Sequence, residues 1–267
     1  MNNLTVYKKI CSFLEREGIE YINALPFSEC EVINKRPLSD FTPESCVVFL
    51  IPYYTGDYPE RNISLYSVSR DYHLFAKELQ DKLLDYMKDS PFTFKLFADS
   101  SPINERSLAL KAGLGVLGEN GLIINEKYKS YVFIGELFTD AVFEGCEYCI
   151  PAAPKSCISC GRCKESCCFL RGESHTCLSA LTQKKTLTED ELKTVLSLKI
   201  RWGCDLCQQI CPMSKNPAVT PISFFHRDNI PVVTTEILNS MTDDKFNQRA
   251  YSWRGKSTIL RNLSDKI

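Results

Sequence analysis

The chain has 267 residues, 44% of them hydrophobic, enough apolar material for a sizeable core and for two joined substructures. Its 32 basic and 33 acidic residues leave a formal charge of -1, which excludes a surface coated in positive charge for non-specific nucleic-acid binding but leaves room for a local basic patch. The first residues carry no basic stretch leading into an apolar run, and the longest strongly apolar stretch, residues 46–51, is far too short to cross a bilayer, so a cytoplasmic protein without membrane contact is expected.

Residues 4–17 place Leu4, Tyr7, Cys11 and Leu14 at helical spacing, and Gly18 closes the predicted helix. A short strand is expected over 19–22, and a buried one over 46–51, rich in Val and stopped by Pro52. The clearest long helix spans 66–88, with Ser69 as its expected N-cap and Tyr72, Phe75, Ala76, Leu79, Leu83, Tyr86 and Met87 as its apolar stripe. Residues 94–98 read as strand-like. A second helix is expected to open at Ser101-Pro102 and to stop in Gly113-Leu114-Gly115. Residues 122–124 and 131–134 predict strands on either side of a turn at 125–129.

The composition changes after Asp140. Residues 145–217 are rich in cysteine and contain one helix, for which Thr188 and Glu191 have the spacing of a capping box. Another helix is expected over 236–241. The pattern predicts an α/β (α+β) body over 1–144, an iron–sulfur module over 145–220 and a C-terminal tail, 221–267, that packs back on the core.

Fourteen cysteines suggest metal ligation in a reducing compartment, because they cluster and no secretory segment precedes them. One run is Cys157-x2-Cys160-x2-Cys163-x3-Cys167, the spacing of two-cluster ferredoxins, in which the fourth thiolate crosses to the other cluster. The second run, Cys204-x2-Cys207-x3-Cys211-Pro212, has three, and Cys177 is the natural eighth ligand. The expected pairing puts Cys157, Cys160, Cys163 and Cys211 on one 4Fe–4S cluster and Cys167, Cys177, Cys204 and Cys207 on the other. Structural zinc is the bland alternative, but it has no use for such a run. Cys11, Cys30 and Cys46 lie in apolar patterns and read as core thiols. Cys146 and Cys149 form a further CxxC, either a redox pair, a metal half-site or bystanders. Cys168 stands where ferredoxin-type runs carry proline, and is a substitute ligand or none.

Several ordered blocks are more specific than the cysteines. They are Tyr53-Tyr54, Ser69-Arg70-Asp71-Tyr72-His73, the stretch 98–106 from Ala98-Asp99-Ser100 to Asn104-Glu105-Arg106, and the stretch 112–120 opening Ala112-Gly113-Leu114-Gly115. Ser130 to Leu137, Trp202-Gly203-Cys204-Asp205-Leu206-Cys207-Gln208, Cys211-Pro212 and Leu260-Arg261-Asn262 complete the set. In these blocks the chain resembles the epoxyqueuosine reductase family, cobalamin-dependent iron–sulfur enzymes that complete queuosine synthesis in tRNA. The resemblance implies a cobalamin-binding α/β domain like that of reductive dehalogenases, followed by a two-cluster ferredoxin-like module. It also implies cobalamin held without a protein imidazole on cobalt, Asp99 beside it as proton donor, and cofactor contacts at Asp99, Arg106, Gly113, Gly115, Gly118, Ile123, Asn125, Ser130 and Ile134. The implied partners are the anticodon loop of tRNA and a flavodoxin or ferredoxin as electron donor, with the protein a monomer.

The chain departs from the family in ending at Ile267, where a helical-repeat domain is expected to begin, and in a shorter link from Cys167 to Cys177. Cys168, Lys111, Glu119 and Val116 also replace common family residues; no cluster ligand is lost, and Asp99 is kept.

Each site residue has a plainer reading on its own. Asp99 ends a strand, where α/β folds place active-site groups, but a carboxylate there also caps the following helix. Arg106 either holds an anionic group in the cleft or pairs with Glu105. The three glycines end a helix and form turns, or admit a large ring to the backbone. Asn125 and Ser130 cap a turn or meet corrin amides. Tyr72 reads as core and His73 as surface, while Asp205 and Gln208 either tune a cluster or hold a local turn. Lys127, Lys129, Lys184, Lys185, Arg249, Arg254, Lys256 and Arg261 form a basic stripe for RNA or are ordinary solvated positions. The functional readings are therefore a cobalamin-dependent epoxyqueuosine reductase, a cobalamin reductase of a small molecule, or a non-catalytic electron carrier. The last has no need of Asp99 or the glycine-rich block, and no RNP-type aromatic–basic pattern supports pure RNA binding.

Overall fold

A computed structural model describes residues 3–143, 156–172 and 176–264; Cys146 and Cys149 lie outside the described residues. Helix α1 (Asn3–Arg16) buries Val6, Tyr7, Ile10, Phe13 and Leu14 along one stripe. The Ile19 N–H closes the helix end on the Leu14 carbonyl at 2.9 Å, so the strand expected at 19–22 begins only at Ile22, as β1 (Ile22–Pro26). Strand β2 (Ser45–Pro52) is buried at every position, and Pro52 is its last residue.

Helix α2 (Tyr72–Tyr86) starts later than its apolar pattern, because Leu65–Ser67 form a separate 3-10 turn. Asp71, not Ser69, receives the first free N–H, that of His73 at 3.0 Å. Strand β3 (Phe94–Ala98) matches its expected bounds. Helix α3 (Glu105–Lys111) opens at Asn104, whose side chain accepts from the Ser107 N–H at 3.2 Å, and not at Ser101-Pro102. The Pro102 carbonyl is instead engaged by the N–H groups of Ile33 and Asn34 at 2.9 and 3.0 Å. Strands β4 (Val116–Leu117) and β5 (Ile123–Ile124) pair with each other, and β6 (Val132–Thr139) runs well past the expected 131–134.

The main sheet has the order β1-β2-β6-β3 with every neighbour antiparallel. Ala98, the end of β3, lies opposite Gly135 near the start of β6. One face of the sheet carries Cys46, Val48 and Leu50 from β2 and Ile134 and Phe138 from β6, packed in one core with Ile103, Leu108, Ala109 and Ala112 of the α3 segment. Val47, Phe49 and Ile51 point the other way and are equally buried. The Phe49 ring lies against Gly135, where a Cβ would collide with it.

The chain divides into two units that interleave along the sequence. The first, Met1–Tyr53, Phe75–Ser159 and Asn216–Ile222, holds both sheets. The second, Tyr54–Leu74, Cys160–Lys215 and Ser223–Ile267, holds all but one of the expected cluster cysteines. It is built of short helices: α4 (Arg162–Ser166), α5 (Leu178–Gln183), α6 (Glu189–Ser197), α7 (Leu206–Gln209), α8 (Thr235–Ser240), α9 (Asp243–Asn247) and α10 (Lys256–Leu263). The capping box of Thr188 and Glu191 is formed as its spacing requires. Helix α4 packs on α7, and α10 packs on α5, α6 and α8. Among the described residues no helix is long and apolar enough to cross a membrane.

Candidate active site

In the first unit the chain leaves β3 at Ala98, and Asp99 takes a left-handed backbone with φ +64. A non-glycine residue holds that conformation at a cost of about 1–3 kcal/mol, which the surrounding structure must offset. Asp99 lines an open cavity together with Glu105 and Arg106 from the first turn of α3, Gly121, Leu122 and Ile123 at β5, Ser130, and Val132, Phe133 and Ile134 of β6. Arg106 Nη1 donates to the Gly121 carbonyl at 3.1 Å, which fixes the guanidinium at the rim.

Five of the nine expected cofactor residues, Asp99, Arg106, Ile123, Ser130 and Ile134, therefore meet on one cavity. The other four do not line it. Gly113 takes φ +70 at the end of α3, and a Cβ on Gly115 would stand 2.7 Å from the Ile124 carbonyl oxygen. Gly118 is crowded by the Asn120 side chain. Asn125 is buried, donates to the Leu114 carbonyl at 2.9 Å and accepts from the N–H groups of Lys127 and Tyr128 at 2.9 and 3.1 Å. These residues shape the segment that carries Gly121 to Ile123 into the cavity wall.

Two carboxyl groups that the sequence did not mark as functional surround Asp99. Burial, then the Asp99 charge, pushes Glu105 up to about 7; Arg106 and the Asp99 N–H oppose the shift. Glu136 on β6 is wholly buried and lies on the α3 side of the sheet, flanked along its strand by Ile134 and Phe138. Burial holds it well above the ordinary carboxylate range, reinforced by Glu105, Cys30 and Asp99 and opposed by the Ser101 hydroxyl. The available signal was an acidic residue inside the apolar run 131–138.

In the second unit, Cys163 and Cys167 at either end of α4, Cys177 before α5, and Cys204 and Cys207 beside α7 are electrostatic neighbours. Burial pushes the Cys207 thiol up to about 12, with further contributions from Cys204, Cys167, Cys177 and Cys163. Burial likewise raises Cys204, helped by Asp205, Cys177 and Cys167. Cys163, expected on the other cluster, is among the same neighbours as Cys167, Cys177 and Cys204. Cys211 is buried and Cys160 exposed, while Cys157 belongs to the first unit. Cys168 is half-buried, and Cys11 and Cys46 are buried as core thiols.

Asp205 stands between two of these cysteines and is held hard. It pairs with Arg61 at 2.8 Å, accepts from the Leu65 N–H at 2.8 Å and from the Ser64 hydroxyl, and is almost fully buried. Its part is therefore to anchor the ligand loop. Asn262, fully buried, donates to the carbonyls of Thr182 and Arg201 at 2.7 and 2.8 Å, which gives the Leu260-Arg261-Asn262 block a structural role.

Much of the basic stripe is engaged within the fold. Lys127 pairs with Glu20 at 2.6 Å and Lys184 with Glu191 at 2.7 Å. Arg249 is buried and donates to the Asp228 and Val68 carbonyls, and Arg261 donates to the Lys185 carbonyl.

The residues fit both implied groups. The cavity is open and its lining is mixed, apolar at Ile123, Val132, Phe133 and Ile134 and polar at Asp99, Glu105, Arg106 and Ser130. A corrin is broader than this cavity, so one face of the ring would rest across its mouth. Among the described residues no three His, Cys, Asp or Glu side chains are arranged around a single metal ion. A cubane separates its thiolates more widely than one ion does, and its cationic core relieves the mutual repulsion of clustered thiolates.

No protein-family model matches the chain. Epoxyqueuosine reductase from Bacillus subtilis is 31% identical over 212 residues, which cover 73% of this chain and 53% of that protein. The enzyme from Listeria monocytogenes is 32% identical over 213 residues, covering 72% and 53%, and that from Lactococcus garvieae 30% over 224 residues, covering 78% and 61%. The chain thus spans little more than half the length of these relatives. Among solved structures, a selenomethionine-labelled epoxyqueuosine reductase superposes with a TM-score of 0.75 at 23% identity, covering 98% of this chain and 81% of that one. The Streptococcus thermophilus enzyme superposes with a TM-score of 0.71 at 22% identity, covering 97% and 80%. A third structure, with a TM-score of 0.75, 22% identity and coverage of 98% and 80%, is an epoxyqueuosine reductase with an epoxyqueuosine-modified tRNA-Tyr stem loop. The architecture is accordingly a mixed α/β fold of this kind, and the chain belongs to the epoxyqueuosine reductase family.

Proposed function

We propose that the chain is a cobalamin-dependent iron–sulfur reductase that converts epoxyqueuosine to queuosine in tRNA. One observation carries the reading: Asp99, Arg106, Ile123, Ser130 and Ile134, separated in sequence, line a single open cavity in a chain of this family. The relative solved with a tRNA stem loop supports tRNA as the partner.

Cobalamin, when bound, supplies a strong two-electron reductant. The chain's own residues bind, orient and protonate. Ile123, Val132, Phe133 and Ile134 would pack against the ring, and Arg106, fixed by the Gly121 carbonyl, would meet a polar substituent. Asp99 holds at its carboxyl the proton that the departing epoxide oxygen needs. Cys157, Cys160, Cys163 and Cys211 hold one 4Fe–4S cluster and Cys167, Cys177, Cys204 and Cys207 the other, with a flavodoxin or ferredoxin as electron donor.

The test is anaerobic reconstitution with iron, sulfide and cobalamin, followed by assay of epoxyqueuosine reduction in tRNA and as the free nucleoside. Turnover of the tRNA supports the reading. Cobalamin uptake with turnover of neither form retires the substrate, and failure to take up cobalamin retires the cofactor.

A further inference from the structure

Reduction of an epoxide to an alkene breaks both C–O bonds and makes the C–C bond double. It takes two electrons, here from reduced cobalamin, and two protons, both of which end on the oxygen that leaves as water. The proposed function assigns delivery of one proton to Asp99. Resting on the reading of this cavity as an epoxide-reducing site, we infer that Glu105 supplies the second proton and regains it from solvent at the open cavity.

The geometry carries this assignment. Asp99 and Glu105 line the same cavity, one just after β3 and the other at the start of α3. The Asp99 backbone and carboxyl both act on Glu105, the first lowering and the second raising its proton affinity. Among the described residues, Glu105 Oε2 and both carboxylate oxygens of Glu136 are buried without a hydrogen-bond partner. Glu136 lies directly behind, on the strand paired with β3, opposite Phe97 and one register step from the Ala98–Gly135 pair. A buried carboxyl with unmet acceptors is stable when protonated, because the neutral form avoids the desolvation cost of the charge.

The groups that face Glu136 are Glu105 from α3, Asp99 and Ser101 from the loop between β3 and α3, Cys30 before β2 and Cys46 on β2. Those that face Glu105 are Asp99, Arg106 and Glu136. Among all of these Arg106 is the only cation, and its Nη1 is already engaged by the Gly121 carbonyl. Three carboxyls with one shared cation do not all ionise, so the set keeps at least one proton near neutrality, which the upward shift of Glu105 to about 7 agrees with. Coupled carboxyls of this kind release protons as a group.

The test has two arms. Infrared titration of the full chain follows the carbonyl stretch of protonated carboxylic acids, a readout independent of cofactor and substrate. A band that disappears around pH 7, and that Glu105→Gln removes, supports the assignment; bands that vanish only in the ordinary carboxylate range overturn it. The second arm is the pH profile of kcat for the reconstituted enzyme. Wild type should lose rate as pH rises through this region. Glu105→Gln should fall by about 10²–10⁴-fold, with partial rescue by Glu105→Asp. Wild-type kcat and an unaltered alkaline limb in Glu105→Gln would overturn the inference with the substrate reading intact. An inactive wild type that keeps the infrared band would instead remove the substrate reading and leave the shared proton standing.

Discussion

Arg61 and Asp205 form an ion pair at 2.8 Å with both side chains under a tenth exposed, although 143 residues separate them in the chain. Asp205 lies between Cys204 and Cys207, so the pair ties the loop of these two cysteines to the segment before α2 within the second unit. Removing one partner of a buried pair leaves the other charge uncompensated, at a cost of about 3–5 kcal/mol. Arg61→Met is therefore expected to lower the denaturation midpoint and the iron content of purified protein. Wild-type iron and stability in this variant would show that the loop needs no such anchor.

Cys177 and Cys168 make a second comparison. Cys177 is an electrostatic neighbour of Cys204 and Cys207, whereas Cys168 contributes to neither. Iron and sulfide analysis should find Cys177→Ser reduced to about half of wild type, one cluster of two, and Cys168→Ser unchanged. Equal loss in both would make Cys168 a ligand.

Glu136 also sets a pH dependence of stability. Its folded-state pKa is raised, so at low pH both folded and unfolded states hold the proton and the group is neutral in effect. As pH rises above the ordinary glutamate value, the unfolded chain ionises while the folded chain does not, and stability falls until the folded pKa is reached. Glu136→Gln should therefore leave the melting temperature nearly unchanged at acid pH and raise it at neutral and alkaline pH, by about 2–4 °C per kcal/mol recovered. A lower Tm than wild type at every pH would refute the assignment of a protonated carboxyl.

Asn262 satisfies two carbonyls far apart in the chain, those of Thr182 in α5 and of Arg201. Thr182 in turn accepts the Gly203 N–H at 2.9 Å, immediately before Cys204. Asn262→Ala should cost about 1–3 kcal/mol for each carbonyl left unpaired, read as a shift in the urea midpoint. A shift within error of zero would mean that water replaces the side chain without loss.

Local patterns in the sequence carried β2, β3 and α6, because an apolar run and a capping box each encode their own element. The starts of α2 and α3 were not legible. Asp71 donates its N–H to the distant Gln248 carbonyl, and Ile103 bridges to Val32, so tertiary partners hold these residues out of the helices. The full length of β6 was hidden by Glu136, a charge in an apolar strand that only the carboxyl neighbours around it explain. At the cavity, Asp99 and Arg106 were legible through resemblance. Gly115 and Asn125 looked the same in sequence, and only the packing at Ile124 and Leu114 separates their role from that of the cavity wall.

The most direct measurement is single-turnover conversion of epoxyqueuosine in tRNA by reconstituted wild type and Asp99→Asn, with bound cobalamin quantified in each by its absorption spectrum. Equal cobalamin in both proteins, with conversion slowed by about 10²-fold or more in the variant, is the predicted result. Equal rates, or no cobalamin in the wild type, would contradict the assignment of this cavity.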